Sequence, residues 1–216
     1  MSTTTWTMAT LLLLTLPGAA AEAAPWEDDP AVLRVALQSG MHFYEDAGVD
    51  VLASYPTRVA ARLEAAVALA PQWRVGAQIG GGGVLSDVHQ DIETQFSTFE
   101  LGAFAEYQHR LLPALIAFGK LGPTVAWYDL TLTAEGRELV HEDWSWGGQA
   151  AVGLTFLPLH ASLGVLDDDM GDLGLGITAA FTYTRMAPLD IDAAGTDLGT
   201  LDPSGYGWLF GVAAQF

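Results

Sequence analysis

The chain has 216 residues, no cysteine, 24 glycines and only 16% charged residues, with 8 Lys and Arg against 26 Asp and Glu for a net charge of −18. That balance excludes a nucleic-acid partner, because nothing would neutralise a row of phosphates. The missing cysteines exclude a disulfide scaffold and a zinc site built on thiolates, and the one long apolar run is too short for a spanning helix.

That run comes first. Residues 7–16 read TMATLLLLTL, followed by Pro17-Gly18 and the small residues Ala19, Ala20 and Ala21. An apolar stretch ended by a helix break and an A-x-A pattern is the signature of a secretory signal peptide, although no Lys or Arg precedes it. Residues 1–21 are expected to be removed, with cleavage as late as 23 as the alternative. Residues 22–30 then form a short periplasmic lead-in. No cysteine follows for lipid attachment, and export suits a chain without thiols.

From residue 31 the pattern changes to period two, the mark of strands. Eight segments carry it: 31–44, 57–70, 73–81, 98–107, 115–128, 144–156, 173–184 and 206–216. In the first, Leu33, Val35, Leu37, Met41 and Phe43 alternate with Arg34, Ala36, Gln38, Gly40 and His42. In the last, Tyr206, Trp208, Phe210, Val212, Ala214 and Phe216 alternate with Gly207, Leu209, Gly211, Ala213 and Gln215. The fifth is the least regular, and Pro123 in it suggests a bulge or register change.

The two faces differ in kind. The first is Leu, Val, Phe and Trp with no charge. The second is mostly Gly, Ala, Thr and Gln, and it carries Arg34, Arg58, Arg62, Glu64, Arg74, Glu100, Glu106 and Lys120. A soluble sandwich would turn a strongly polar face to water, and this second face is too small and too dry for that. It suits a narrow lumen, while the first suits lipid, where a Lys or Arg at mid-depth costs roughly 2–4 kcal/mol. Strands in hydrocarbon must pair every N–H and C=O, so the sheet must close. The expected fold is all-β: a closed antiparallel up-and-down transmembrane β-barrel of eight strands over 31–216, in the outer membrane of a Gram-negative-type bacterium.

The connections should then alternate. Links at 71–72 and 108–113 are short and periplasmic. Those at 45–56, 84–97, 129–143 and 185–205 are longer and extracellular. The link 157–172 is long and acidic on the side of short turns, and an extra strand at 160–166 would account for part of it. Aromatics fall at strand ends: Phe43, Trp127, Trp144, Trp146, Tyr183, Tyr206 and Trp208 mark an outer interface, and Trp73, Tyr107, Phe156 and Phe216 an inner one. Amphipathic rings favour that depth.

The last strand, YGWLFGVAAQF, ends on Phe216 with apolar residues at every second position. With the signal peptide and eight strands, the chain resembles the small outer-membrane barrels of the OmpA-membrane-domain and OmpX type. The resemblance covers nearly the whole mature chain and rests on pattern. It implies a monomer in outer-membrane lipid, recognised by the barrel-insertion machinery through its C-terminal strand. No periplasmic domain follows Phe216, so no peptidoglycan anchor is expected. The ending LDPSGYGWLFGVAAQF is also loosely similar to that of OmpW-type barrels, which implies a small hydrophobic cargo as the alternative function.

Eight strands leave an interior just wide enough for side chains, so paired charges would plug it; unpaired, they would be too costly to bury. If the turn after the fourth strand lies at 108–112, Glu100 faces Lys120. Gly40, Gly80, Gly122 and Gly147 leave open a cavity in the outer half. Asp167, Asp168, Asp169 and Asp172 cluster, and Asp190, Asp192, Asp197 and Asp202 follow, but none matches a calcium loop. A solvated surface is the better reading, with no metal or cofactor. His160-Ala161-Ser162 is similar to the His-x-Ser pair of lipid A deacylase barrels without the Asn that follows there. His42, His89, His109 and His141 stand apart from carboxylates, and no catalytic residue is assigned. The run Gly80–Gly83 lacks the Lys of a phosphate loop. The expected role is structural, or surface interaction through the loops.

Overall fold

The computed structural model describes residues 32–46, 57–89, 92–161, 173–193 and 196–216. The signal peptide, the lead-in and the Asp167–Asp172 cluster lie outside them. Ten strands form: β1 (Leu33–Tyr44), β2 (Thr57–Ala70), β3 (Trp73–His89), β4 (Ile92–Leu112), β5 (Leu115–Ala134), β6 (Arg137–Ala161), β7 (Leu173–Met186), β8 (Leu189–Ala193), β9 (Thr196–Leu201) and β10 (Gly205–Gln215). Eight of them close a barrel in the order β1-β10-β7-β6-β5-β4-β3-β2, and β8 pairs with β9 alone. Every neighbouring pair is antiparallel.

Closure is the decisive feature. β1 and β10 pair from Arg34↔Gln215 to Tyr44↔Gly205. The ladder is completed by Leu33 N–H to Phe216 C=O at 3.1 Å and Phe216 N–H to Leu33 C=O at 2.9 Å. The first and last strands therefore leave each other no free edge, which is the condition for strands in hydrocarbon.

The alternation sorts the side chains as the period requires. Leu37, Phe210 and Val212 are more than half exposed, while Arg34, Gln38 and Glu64 are 1% exposed. The apolar side of the sheet faces out and the polar side faces in, the inverse of a soluble protein. From Tyr206 to Phe216 the outward face of β10 spans about ten residues, roughly 33 Å along a tilted strand, which suits an apolar band about 25 Å tall.

Several expectations need correction. The segments 84–97 and 129–143 are largely not loops. β3 and β4 continue as a ladder to His89↔Ile92, with a shift between Val84 and Asp87, and β5 and β6 continue to Ala134↔Arg137. The tight β5–β6 turn uses Glu135 and Gly136, both at positive φ, which Gly adopts at no steric cost. The ladder keeps one register on both sides of Pro123: Gly102↔Thr124 and Ala105↔Leu121 on β4, Pro123↔Gly148 on β6. Pro123 loses one donor without displacing the strand. The long link begins late because β6 runs to Ala161, pairing Leu159↔Leu175 and Ala161↔Leu173 past a shift after Phe156. Residues 160–161, the start of the suggested extra strand at 160–166, thus belong to β6, and 162–166 lie outside the described residues. The last long link, 185–205, holds the β8–β9 hairpin, which period alone did not reveal.

Candidate functional site

The inward face of the barrel gathers the charged residues. Towards the end that holds Leu33 and Phe216, hereafter the terminal end, Arg34 Nη2 donates to Glu106 Oε2 at 2.6 Å and to Glu64 Oε2 at 3.2 Å. Lys120 Nζ donates to Glu64 Oε1 at 2.6 Å and lies 3.9 Å from Glu106. Gln108 Nε2 donates to Glu106 Oε1 at 2.5 Å. Arg74 stands directly opposite Glu106 on the ladder. These groups come from β1, β2, β3, β4 and β5, so the cluster bridges the lumen. Phe104 and Phe118 pack against it on either side, with the Lys120 ammonium 5.1 and 5.0 Å from their ring centres and the Arg34 guanidinium 5.6 Å from Phe118. Cations over ring faces are attracted by the quadrupole, more so where water is excluded.

A second cluster lies towards the loop end. Arg58 donates to Glu100 and to Thr98, and Arg62 Nη2 lies 3.6 Å from Glu100 Oε2. Between the two clusters Gln78 Nε2 donates to Gln149 Oε1 across the lumen at 2.7 Å. Buried charges persist only with partners and hydrogen bonds. Glu106 is wholly inaccessible, so the interior at its level is filled by side chains.

One pairing expectation was wrong. Glu106 faces Lys120, and Glu100 faces Ala126. The cause is the turn: β4 runs on to Leu112 and turns at Pro113-Ala114, so each β4 residue meets a β5 partner further along. Glu100 instead serves Arg58 and Arg62 of β2.

Above the second cluster the loop end is closed by an apolar group. Tyr44, Phe96, Ala126, Tyr128 and Leu130 of the barrel wall pack with Met186, Leu189, Ile191 and Leu201. The β8–β9 hairpin supplies three of these. Burying such side chains stabilises by roughly 1.5–3 kcal/mol each. Polar contacts fasten the hairpin: Met186 N–H donates to Ser204 Oγ at 3.0 Å, Ser145 Oγ to Ala187 C=O at 2.6 Å, and Asp202 N–H to Asp46 Oδ2 at 2.7 Å. Sequence reading missed this cap. Its one signal was Tyr128 on the inward face, where small residues prevail.

The expected interface aromatics fall outward at both ends. Phe43 stacks on Tyr206 at 5.5 Å, and Phe181 meets Trp208 edge-on at 5.0 Å. Tyr183 is the ladder partner of Tyr206, and Trp127 of Trp144. Trp144 and Trp146 are well exposed. At the terminal end Trp73 meets Tyr107 at 5.2 Å, while Phe156 and Phe216 are exposed. A solvent-open cleft of about 600 Å³ at the loop-end rim is lined by Glu45, Asp46, Arg185, Pro188, Thr200 and Asp202. Of the acidic residues singled out in the last link, Asp202 joins Arg185 at 3.2 Å. Among the described residues no group of three His, Asp or Glu is placed to hold a metal ion. Ser162 of the His-Ala-Ser triplet lies outside the described residues.

Solved structures with this architecture exist. The attachment invasion locus protein Ail of Yersinia pestis is 12% identical over 86% of this chain and 97% of its own, with a TM-score of 0.49. Neisserial surface protein A is 12% identical over 86% of this chain and 96% of its own, TM-score 0.49. The N-terminal β-barrel domain of Pseudomonas aeruginosa OprF is 10% identical over 87% of this chain and 98% of its own, TM-score 0.45. No family model matches the chain, and no curated protein matches it. The barrel itself is read from the strand pairing above.

Proposed function

We propose that the chain is an exported outer-membrane barrel whose lumen is plugged and whose role is structural, or surface interaction through the loop end, without catalysis. The observation that carries this is the double filling of the interior. Ion-paired side chains cross it at Glu64, Glu106 and Lys120, and the apolar cap closes the mouth above. The apolar outward face meets outer-membrane lipid, and the long β3–β6 ladders present the surface a partner would meet. The C-terminal strand is the part the insertion machinery would recognise, and the barrel acts as a monomer, since closure leaves no sheet edge in the wall to pair with a second copy.

Planar-bilayer recording of the refolded chain tests the reading. The expected result is no steady conductance step above the bare bilayer. A sustained large current contradicts the plug. The carrier alternative gains nothing from the mouth, because its apolar residues pack on one another.

A further inference from the structure

The β8–β9 hairpin is the upper part of a longer one. β7 pairs with β10 up to Thr184↔Gly205, and β8 pairs with β9 from Leu189↔Leu201 to Ala193↔Thr196. The pairing breaks on both arms at one level, at Ala187-Pro188 on the first and Asp202-Pro203-Ser204 on the second. A proline on each arm lacks the N–H that would carry a ladder through. The polar contacts that fasten the hairpin sit at this break: Met186 with Ser204, Ser145 with Ala187, and Asp202 with Asp46 and Arg185. Beyond it, Leu189, Ile191 and Leu201 pack into the mouth. The arrangement is a pinned hinge carrying an apolar flap.

A second seat for the flap lies beside it. The last rung between β6 and β7 is Gly147↔Met186, followed by Ala187 N–H to Trp146 C=O at 2.9 Å. From Arg137 to Ser145, β6 pairs only with β5 among the described residues. The two-residue turn closes on Ala134↔Arg137, so alternate residues from Arg137 spend their backbone groups on β5. Those of Glu138, Val140, Glu142 and Trp144 point the other way, to an open edge. There Trp144 N–H is met only by its neighbour's carboxylate, Asp143 Oδ1, at 2.7 Å. β8 runs within 8 Å of β6, Cα to Cα, without pairing with it. Carried on in the β6–β7 register, β8 would set Leu189 opposite Trp144, Ile191 opposite Glu142 and Ala193 opposite Val140. Period two would then turn Leu189 and Ile191 outward, in phase with Tyr183 and Arg185, and clear of the mouth. The folded-over seat is also incompletely satisfied: Tyr44 Oη and Thr94 Oγ1 are buried without a hydrogen-bond partner, a cost that water removes once the flap lifts.

We propose that the β8–β9 hairpin is a hinged lid with two seats, one folded at the prolines over the mouth and one raised against the open edge of β6. Apolar packing favours the first. Backbone pairing with Val140 and Glu142, and wetting of the two hydroxyls, favour the second. The ion-paired layers below stay in place in both, so the lid controls access to the outer lumen without opening a path through the barrel. Its test is therefore separate from the conductance of the whole barrel.

Thiol labelling of the refolded chain in detergent reads the lid, since the sequence holds no native cysteine. Leu130→Cys puts a thiol in the mouth and Ala36→Cys one deep in the lumen, both at nearly inaccessible positions. A water-soluble maleimide should label Leu130→Cys at least about tenfold faster than Ala36→Cys. Adding Ile191→Ser, which removes packing only from the folded-over seat, should speed the Leu130→Cys reaction about tenfold. Adding Glu142→Pro should slow it roughly threefold or more. Proline at an open edge costs the folded-over form no bond, but it removes an N–H that the raised β8 would use. Either addition should leave the Ala36→Cys rate unchanged, which shows the barrel intact. Equal rates for the two thiols would mean that the whole barrel loosens together and would overturn the lid. An unchanged Leu130→Cys rate with Glu142→Pro would overturn the second seat, and the proposal with it.

Discussion

The two halves of the lumen wall are built differently. β1–β5 carry the ion-paired charges of the lumen, Arg34, Arg58, Arg62, Glu64, Glu100, Glu106 and Lys120, together with Tyr44, Phe96, Phe104, Phe118 and Tyr128. β6, β7 and β10 turn inward Ser145, Gly147, Ala151, Gly153, Thr155, Thr178, Ala180, Thr182, Gly207, Gly211 and Ala213, with Gln149, Leu209 and Gln215 among the few larger side chains. The halves are complementary in volume. Long side chains of one reach into the space that small residues of the other leave, as when the Phe118 ring meets Gly153. An eight-stranded barrel has little interior to spare, so two bulky halves would not close. The lesson is that the bulky half supplies energy through paired charge, and the small half supplies room.

Breaking the charged half should cost most. Glu106 accepts from Arg34 and Gln108 and lies opposite both Arg74 and Lys120. Glu106→Leu leaves those cations short of a partner, and the loss should be about 3–5 kcal/mol. Urea unfolding in micelles, followed by tryptophan fluorescence, reads it. A loss below about 1 kcal/mol would mean that the cluster adds little to holding the barrel. Adding bulk to the small half should cost less. Gly153 faces Phe118 on the ladder, and a Cβ there would meet the Phe118 ring and the Ala179 carbonyl. Gly153→Leu should destabilise by about 1–3 kcal/mol through overpacking, seen in the same unfolding midpoint. If it is neutral, the halves are not matched in volume.

Much of this contrast was readable in the residues. Period two separates the faces because a strand has no other way to place alternate side chains, so Arg34, Glu64, Glu100, Glu106 and Lys120 fell on one face before any pairing was known. Which carboxylate meets which cation was not readable. That depends on where one turn falls, and the polar stretch Gln108-His109-Arg110 reads as a turn although it stays in β4 and the chain reverses at Pro113-Ala114. The cap was hidden for another reason. Leu189 and Ile191 alternate with Asp190 and Asp192 over too few residues to stand out, and the acids suggest a solvated loop. Burial of Leu189 and Ile191 is decided by Tyr44, Phe96 and Leu130, distant in sequence. Gly and Thr on the small half were visible, but their purpose appears only when the opposite half is in place.

The finest test asks whether the small half matters through polarity or only through size. Thr155 and Thr178 face each other across β6 and β7, both almost fully buried, with Thr155 Oγ1 donating to Thr178 Oγ1 at 3.3 Å. Valine matches threonine in shape. Replacing one hydroxyl leaves the other short of its partner and should cost about 1 kcal/mol, whereas replacing both removes donor and acceptor together and should come close to neutral. The double variant Thr155→Val/Thr178→Val should therefore be more stable than either single variant. The same double-variant cycle measured by urea unfolding checks it. If the losses simply add, the hydroxyls hold more than each other, and this wall has a polar function beyond making room.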